Sequence, residues 1–280
     1  MSKNEKKSAI FSPEILAYYQ RGGEAERLFK GIGHLELART QELTLRYLPP
    51  PPAKVLDVGG GSGVYACWLA RLGYEVHLVD PAPLHLEQAQ QVSAAQPDHP
   101  IARIALGDAR QLDYPDESCD GVLLFGPLYH LTDRDDRMAT LNEARRVVCP
   151  GGVVLAVGIS RFASTLAGLF EGALADPDFV RIVKQDLKDG QHRNPTDKPY
   201  FTTAFFHHPD EIMAEVENAG LKFDRILAIE SIAGVLSNFE ERREDPDQHQ
   251  LIMEVVSWVE EEPSMMGTTA HFMAVAYKEG

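Results

Sequence analysis

Short apolar runs alternate with longer amphipathic stretches through the middle of this chain. Five runs have the length and composition of buried β-strands: residues 55–58, 75–80, 104–110, 119–125 and 153–160. Between the last two runs, an apolar helix face is formed by Met138, Leu141, Ala144 and Val148. Because strands that alternate with helices are joined by crossover connections, the pattern predicts a doubly wound, mostly parallel α/β sheet with helices on both faces.

The N-terminal part of the chain predicts helices placed ahead of the sheet. Residues 1–10 are polar. A later amphipathic stretch has an apolar face within an arc of about 100°, made by Leu37, Ala38, Leu45 and Leu48. Prolines at positions 49–52 then stop the helix and form a stiff connector. We therefore expect an N-terminal helical extension over residues 1–52 and a cofactor-binding core over residues 53–160.

The alternation stops after residue 160 and resumes at residue 209. Residues 161–208 contain helix-like stretches, a polar loop and the densest aromatic group of the chain, which consists of Tyr200, Phe201, Phe205 and Phe206. A long insertion at the ligand edge of an α/β sheet commonly covers a pocket. We expect residues 161–208 to form an inserted substrate lid whose aromatic group walls an apolar acceptor pocket. Residues 209–280 are expected to complete the core, with a second insertion at 231–264.

A glycine-rich loop follows the first strand and leads into a helix. Asp57 is followed by four glycines within six residues. Glycine permits a sharp turn and a close approach to a ligand. A dinucleotide fingerprint can be placed on Gly61, Gly63 and Ala66. In that arrangement Asp80 would bind a ribose, but Asp57 would have no role. The Asp57 carboxylate would repel an anionic pyrophosphate, whereas it would attract a cationic ligand.

The acid and the glycines together resemble motif I of the class I S-adenosylmethionine-dependent methyltransferases. That motif, Asp-x-Gly-x-Gly-x-Gly, is filled here by Asp57, Gly59, Gly61 and Gly63. Three later segments follow the order and spacing of the family, so the resemblance covers residues 53–160. It implies a Rossmann-like, seven-stranded sheet with an antiparallel last strand, and S-adenosylmethionine as cofactor with S-adenosylhomocysteine as product. The motif style is most similar to the ubiquinone/menaquinone-methyltransferase-like group of small-molecule enzymes.

The resemblance also implies further cofactor-binding residues. Asp80, at the end of the second strand, would bond the ribose hydroxyls, and Asp108 would accept a hydrogen bond from the adenine amino group. Ala109 and Phe125, near the ends of the third and fourth predicted strands, are expected to border the same ligand. Taken singly, an Asp at a strand end is commonly a turn residue or a helix cap. These assignments therefore depend on the order and spacing of all the matching segments together.

Catalysis by such an enzyme consists mainly of holding an acceptor in line with the S–CH3 bond and excluding water. A base is needed when the acceptor arrives protonated. His130, directly after the fourth strand, is the candidate base, with a packing histidine as the alternative. Tyr19 could cover the sulfonium and Arg39 could pair with the methionine carboxylate, or both could be packing residues. We expect His271, in the final strand, to be a satisfied core or edge residue.

Composition narrows the choice of partner. The chain has 42 acidic and 27 basic residues, a formal charge of −15, and no run of Lys or Arg that could follow a phosphate backbone. The three cysteines have no metal-site spacing, so we expect no metal and no disulfide framework. No stretch of about 18 apolar residues occurs. These features predict a cytoplasmic enzyme that acts on a small molecule, with no nucleic-acid or membrane partner and an unknown oligomeric state.

The sequence is compatible with three functions. The first is methylation of a small-molecule acceptor at O or N, possibly at C. The segment after the fourth strand reads Phe125-Gly126-Pro127-Leu128 and lacks the Asn/Asp-Pro-Pro-Tyr pattern associated with planar nitrogen substrates. The second is a nicotinamide-dependent oxidoreductase, which would leave Asp57 and Asp108 idle. The third is a protein that binds S-adenosylmethionine without catalysis.

Overall fold

The computed structural model describes residues 13–19, 24–196 and 198–280. Within these residues the strands are β1 (Lys54–Val58), β2 (Glu75–Asp80), β3 (Arg103–Leu106), β4 (Cys119–Leu124), β5 (Val148–Ile159), β6 (Gln191–His192), β7 (Ala204–Phe205), β8 (Lys222–Ala228) and β9 (His271–Tyr277). The helices are α1 (Pro13–Tyr19), α2 (Glu24–Arg27), α3 (Gly33–Tyr47), α4 (Val64–Arg71), α5 (Pro83–Ala94), α6 (Pro127–His130), α7 (Arg134–Val147), α8 (Ala163–Phe170), α9 (Pro177–Asp189), α10 (Pro209–Asn218), α11 (Phe239–Arg243) and α12 (Pro246–Trp258).

Seven of the strands form one sheet. Their order is β3-β2-β1-β4-β5-β9-β8. The pairs from β3 to β5 are parallel, whereas β9 lies antiparallel between β5 and β8. The first strand, β1, lies inside the sheet, and β2 and β3 add successively on one side of it. The chain then crosses back, and β4 and the later strands form the other side. The predicted Rossmann-like, mostly parallel seven-stranded sheet with an antiparallel last strand is confirmed.

Helices cover both faces of the sheet, and each face has its own apolar core. On one face, residues of α7 and α10 such as Leu141 and Ile212 are fully buried against the strands. On the other, Leu43 of α3, Leu69 of α4 and Ala89 of α5 are equally buried. Burying both sheet faces explains why the central strands are nearly continuous apolar runs rather than alternating ones.

The N-terminal helix α3 presents a different face to the core from the one expected. Leu37, Ala38 and Leu45 are partly or largely exposed, while the buried set consists of Gly33, Leu35, Arg39, Thr40, Leu43 and Thr44. The expectation failed because the buried face carries a charged residue and two threonines that find partners inside the protein. The polar segment predicted at residues 1–10 lies outside the described residues.

The segment between β5 and α10 is built from α8, α9 and a short β6–β7 hairpin. It rejoins the sheet where Ser160 pairs with His207 in an isolated parallel bridge. The segment between β8 and β9 contains α11 and α12, which pack with Leu35 of α3. No helix in the described parts of the chain is long and apolar enough to cross a membrane.

Candidate active site

A cavity opens at the edge of the sheet where β1, β2, β3 and β4 end. Parallel α/β sheets bind their ligands at this edge, because the loops that follow the strands converge there. The cavity, here called the cofactor cavity, is lined by most of the residues predicted from sequence, namely Tyr19, Asp57, Gly59, Asp80, Asp108, Ala109, Phe125 and His130. The wall also receives residues from α1 and α3, so the N-terminal helices close one side of it.

The glycine loop supplies the floor of this cavity. Gly59, Gly61 and Gly63 have φ angles of 72°, 56° and 83°, which glycine alone adopts without strain. A Cβ on Gly59 would lie 2.9 Å from the Pro127 ring, and one on Gly60 would lie 2.7 Å from Oδ2 of Asp57. Gly60, which the sequence motif skips, is therefore the glycine that allows the loop to pack over the acid.

Two of the motif glycines are not part of the cavity wall. Gly63 forms the N-cap of α4, and a Cβ on Gly61 would meet no atom within 4 Å. Gly61 is needed for its backbone conformation, and its N–H donates a 2.9 Å hydrogen bond to Oδ2 of Asp80. The motif thus shapes the loop and joins it to the second strand, rather than clearing space at each glycine.

Asp57 is a buried acid with an unsatisfied oxygen. It is 1% exposed, and its Oδ2 has no hydrogen-bond partner within the described chain. Burial, together with the nearby charge of Asp80, raises the pKa of Asp57 to about 7. Such a carboxyl is costly to the folded protein unless a ligand supplies the missing donor, which is why its position in the cavity wall indicates a binding role.

Asp80 is held by the protein on both of its oxygens. Oδ1 accepts from the N–H of Ala82 at 2.8 Å and lies 3.1 Å from Nδ1 of His85, while Oδ2 accepts from Gly61. A carboxylate offers about four acceptor positions, so three are filled and one remains for a ligand hydroxyl. His85, in the first turn of α5, also lines the cavity and was missed from sequence.

Asp108 lies beyond the end of β3 and is paired with Arg110. The guanidinium Nη2 donates to Oδ2 at 2.6 Å and Nε donates to Oδ1 at 3.0 Å. Asp108 is partly exposed and contributes to the cavity wall together with Ala109. Phe125 lies on another part of the wall, where its ring packs edge-on against Tyr65 with the ring centroids 5.2 Å apart.

Tyr19 and His130 meet at the mouth of the cofactor cavity. The Tyr19 hydroxyl is hydrogen-bonded to Nε2 of His130, although 111 positions separate them in the chain. Burial lowers the pKa of His130 to about 4, against the opposing effect of a hydrogen bond involving the Thr203 backbone. The imidazole is therefore neutral at physiological pH and has the charge state that a proton acceptor requires.

A second cavity adjoins the first and is lined mainly by apolar and aromatic residues of the inserted segment. Ile159, Ala163 and Ala167 lie on its wall, together with the ring-bearing residues Phe179, His192, Tyr200, Phe201 and Phe206. Tyr19, Arg27 and Tyr129 line both cavities. The Phe201 ring lies 5.9 Å from the His130 ring, centroid to centroid, so the insertion reaches the mouth of the cofactor cavity.

Of the four aromatic residues predicted to wall one pocket, Phe205 does not line this second cavity. The Phe205 ring packs under the Arg137 guanidinium, whose carbon lies 3.8 Å from the ring centroid, and edge-on against His207. The expectation that all four aromatic residues wall one pocket was wrong at this position, because β7 directs neighbouring side chains to opposite faces.

Comparison with known proteins places this architecture in a family. Residues 56–156 match the family described as a methyltransferase domain. The ubiquinone/menaquinone biosynthesis C-methyltransferase UbiE of Bordetella avium is 34% identical over 198 residues, which cover 68% of this chain and 71% of that protein. The chain belongs to the class I S-adenosylmethionine-dependent methyltransferases.

Two other similarities differ in extent. Methyltransferase GfsG of Streptomyces halstedii is 37% identical over 100 residues, which span about a third (35%) of each protein. The crystal structure of a SAM-dependent methyltransferase from Methanosarcina mazei superimposes with a TM-score of 0.59 at 18% identity, covering 85% of this chain and 97% of that one. The structural match concerns the fold, which is shared almost end to end with that protein.

As a member of this family, the protein is an enzyme that transfers a methyl group from S-adenosylmethionine to a small-molecule acceptor. The oxidoreductase and the non-catalytic binding protein considered from sequence are therefore not supported. The residues of the cofactor cavity fit this cofactor. The unsatisfied oxygen of Asp57 lacks a donor of the kind an ammonium group provides, and the described residues of the wall include no cluster of Lys and Arg side chains that could bind a phosphate.

In this methyltransferase Arg39 does not reach the cofactor cavity, and its proposed pairing with the methionine carboxylate was wrong. Its side chain is fully buried, bonds the carboxylates of Glu42 and Glu260, and donates from Nε to the carbonyl of Ile229 at 3.2 Å. Arg39 thus fastens α3 to the end of β8. Among the described residues, the arginine on the cavity wall is Arg27, whose guanidinium forms a two-bond ion pair with Glu36.

Proposed function

We propose that the cofactor cavity holds S-adenosylmethionine and that the second cavity, here called the acceptor cavity, holds the molecule that is methylated. The shared wall residues Tyr19, Arg27 and Tyr129 carry this proposal, because they put the two spaces in direct contact. Methyl transfer needs such contact, since the acceptor atom must approach the sulfonium carbon in line.

The lining of the acceptor cavity supports a small and largely apolar acceptor, aromatic or lipid-like. The aromatic residues offer flat surfaces to a ring, and residues 161–208 would act as the substrate lid. The UbiE relatives are named as C-methyltransferases of ubiquinone and menaquinone biosynthesis, which is compatible with a ring-containing acceptor. The chain's charge of −15 disfavours a nucleic acid.

Several residues of the cofactor cavity would hold S-adenosylmethionine. Asp57 would receive its ammonium group, Asp80 one ribose hydroxyl through the free acceptor position, and Asp108 the adenine amino group, with Ala109 and Phe125 bordering the adenine. The cofactor supplies an electrophilic methyl group when bound. The remaining task of the chain is to position the acceptor, exclude water and accept a proton.

His130 is the proton acceptor in this scheme, acting with the hydroxyl of Tyr19. We expect His130→Gln to lower kcat about tenfold with an acceptor that must lose a proton. The loss should be smaller than the factor of about 100 or more that a general base usually contributes, because a pKa of about 4 makes His130 a weak base. The dissociation constant of S-adenosylhomocysteine should change less than about twofold, as measured by calorimetry. Tyr19→Phe, which keeps the ring and removes only the hydroxyl, tests separately whether the Tyr19 hydroxyl takes part in accepting the proton. A kcat that is unchanged in His130→Gln would show that His130 only packs the site.

The acceptor cavity can be tested by filling it. Ala167 lies on its wall, in the middle of α8. We expect Ala167→Trp to reduce turnover at least tenfold, because the added ring would occupy space needed by the acceptor, while cofactor binding stays unchanged. Turnover is measured as transfer of a deuterated methyl group from the cofactor to compounds in a small-molecule cell extract, detected by mass spectrometry.

The matched control is Leu169→Trp. Leu169 lies in the same helix but is 62% exposed, so the same tryptophan would project into solvent. Full turnover in both variants would contradict the assignment of the acceptor cavity. The extract experiment with the unmodified protein also identifies the acceptor, and the position of the label in it distinguishes methylation at O, N or C.

A further inference from the structure

The apolar wall of the acceptor cavity is interrupted by a polar face where the last strand begins. His271, the first residue of β9, lies on this wall beside Ala270, and Arg27 lies on it as well. The prediction that His271 is a satisfied core or edge residue is only half right. One of its ring nitrogens is bonded within the protein, and the other has no hydrogen-bond partner among the residues that the structure describes.

The satisfied nitrogen of His271 is Nδ1. It lies 2.6 Å from Oε1 of Glu230, whose Oε2 accepts from the His271 backbone N–H at 3.0 Å and from Thr269 Oγ1 at 2.9 Å. Glu230 is 3% exposed and accepts only, so Nδ1 must carry the proton of this bond. Three hydrogen bonds therefore fix the position of the Glu230 carboxylate, and one of them also fixes the orientation of the His271 ring.

The charge on the ring follows from its surroundings. Burial disfavours the imidazolium, but the carboxylates of Glu36 and Glu230 outweigh it and raise the pKa of His271 to about 9. Glu36 lies 3.9 Å from Nδ1 and is bonded on both oxygens by Arg27. At neutral pH both ring nitrogens of His271 are thus donors, and Nε2 has no hydrogen-bond partner in the described residues.

The other histidine of the acceptor cavity has no such spare donor. His192 bonds Asp186 through Nδ1 at 2.9 Å and lies with Nε2 3.3 Å from the Phe201 carbonyl. Its ring also stacks on Phe206. His192 is therefore part of the frame of the insertion, whereas His271 has one donor left for a ligand in the same cavity.

A bound cation is a competing explanation of this cluster. Glu36, Glu230 and His271 have possible ligand atoms within 4.8 Å of one another. However, the His271 nitrogen that faces both glutamates carries a proton, and the Arg27 guanidinium already occupies the oxygens of Glu36. A divalent cation would have to displace that proton and lie beside a permanent positive charge. The arrangement is therefore that of a neutralised ion-pair group rather than a metal site.

We infer that Nε2 of His271 donates a hydrogen bond to a carbonyl or phenolic oxygen of the methyl acceptor. The acceptor would then be an oxygen-substituted aromatic compound whose ring lies among the aromatic side chains and whose oxygen lies at the β9 end of the cavity. This inference rests on the proposed function, because it assumes that the acceptor occupies this cavity. It makes His271 a residue that determines which acceptors bind and how they are oriented.

The test uses two probes of nearly the same shape, para-fluoroacetophenone and para-fluoroethylbenzene. They differ by one carbonyl oxygen. Their affinities are measured by fluorine NMR titration of the full chain saturated with S-adenosylhomocysteine. We expect the ketone to bind about tenfold more tightly, as a hydrogen bond to a charged donor allows. In His271→Asn this preference should disappear, because the amide can replace Nδ1 towards Glu230 but has no atom at Nε2.

The controls separate this inference from the function on which it rests. His192→Asn makes the same change in the same cavity and should keep the preference for the ketone. Equal binding of both probes to the unmodified protein, or a preference that survives in His271→Asn, would overturn the inference. Binding of both probes that is unaffected by Ala167→Trp would instead overturn the acceptor cavity itself. Loss of the preference on adding EDTA would indicate a bound cation and also overturn the role of Nε2.

Discussion

Asp57→Asn should weaken the binding of S-adenosylmethionine by about 100-fold without unfolding the protein. The carboxylate would make a charge-assisted hydrogen bond to the cofactor's ammonium, worth about 1.5–3 kcal/mol, and the asparagine amide would turn a donor towards that cation. Calorimetric titration measures the change. Affinity within threefold of the unmodified protein would show that the ammonium lies elsewhere.

The same residue predicts a pH dependence with a definite sign. Asp57 has a pKa raised to about 7, so the free protein is increasingly protonated there below neutral pH. The cofactor's ammonium favours the ionised carboxylate, so binding must expel that proton. We expect affinity to be about tenfold weaker near pH 5.5 than near pH 7. In Asp57→Asn the affinity should be nearly flat over this range.

The stability of the unliganded fold should change with pH in the opposite direction to the affinity for the cofactor. A carboxyl whose pKa is higher in the folded than in the unfolded protein stabilises the fold at low pH and loses that contribution as pH rises to about 7. Above neutral pH, unliganded Asp57→Asn should therefore melt at a higher temperature than the unmodified protein. A lower melting temperature at about pH 8 would contradict the raised pKa.

Arg137→Met should destabilise the fold by about 3–5 kcal/mol, the usual cost of removing one partner of a buried ion pair. Arg137 is 3% exposed, and its Nε and Nη2 donate to both oxygens of the buried Glu215. Its Nη1 donates at 3.0 Å to the carbonyl of Leu131, the residue after His130. The substitution would leave the buried Glu215 carboxylate, behind the candidate base, with only the 3.4 Å contact to Nε2 of His207 and the 3.8 Å contact to Arg134 among the described residues. Denaturant unfolding would measure the loss.

Arg134→Met is the matched control for this prediction. Arg134 lies in the same helix and approaches the same glutamate at 3.8 Å, but its side chain is 55% exposed. An exposed pair of this kind is worth about 0–1 kcal/mol. Adding Glu215→Gln to Arg137→Met should recover part of the stability, since it removes a buried charge that has lost its closest cation. Equal losses in Arg134→Met and Arg137→Met would mean that burial does not determine the strength of this pair.

Some features of the site are readable from the sequence because they are local in the chain. An apolar run that ends in an acid and then in glycines specifies a strand, a turn with positive φ and a helix start, all within ten residues of Asp57. Asp80, Asp108 and His130 each lie within a few residues of the end of a predicted strand. In a parallel sheet these ends meet at one edge, so the cofactor cavity could be assembled from sequence once the order of strands was known.

Other features depend on contacts between distant segments, which no local pattern encodes. Arg39 was assigned to the cofactor, but Glu260, 221 positions away, buries and holds it. Arg27 lies on the cavity wall although its local sequence offers no signal. The predicted apolar face of α3 failed for the same reason, since a helix can bury charge once another segment supplies a partner.

The sequence by itself determined the fold class and the loop after β1, because these follow from short-range periodicity and from glycine's backbone freedom. The resemblance of its motifs to the class I methyltransferases added the cofactor and the expected roles of the acids at the strand ends. The tertiary structure alone decided which side chains meet across the cavities. It brings Tyr19 into contact with His130, places the insertion against the mouth of the cofactor cavity, and positions His271 between two glutamates. These arrangements arise from packing and from the burial of charge, and both are properties of the assembled chain rather than of any one segment.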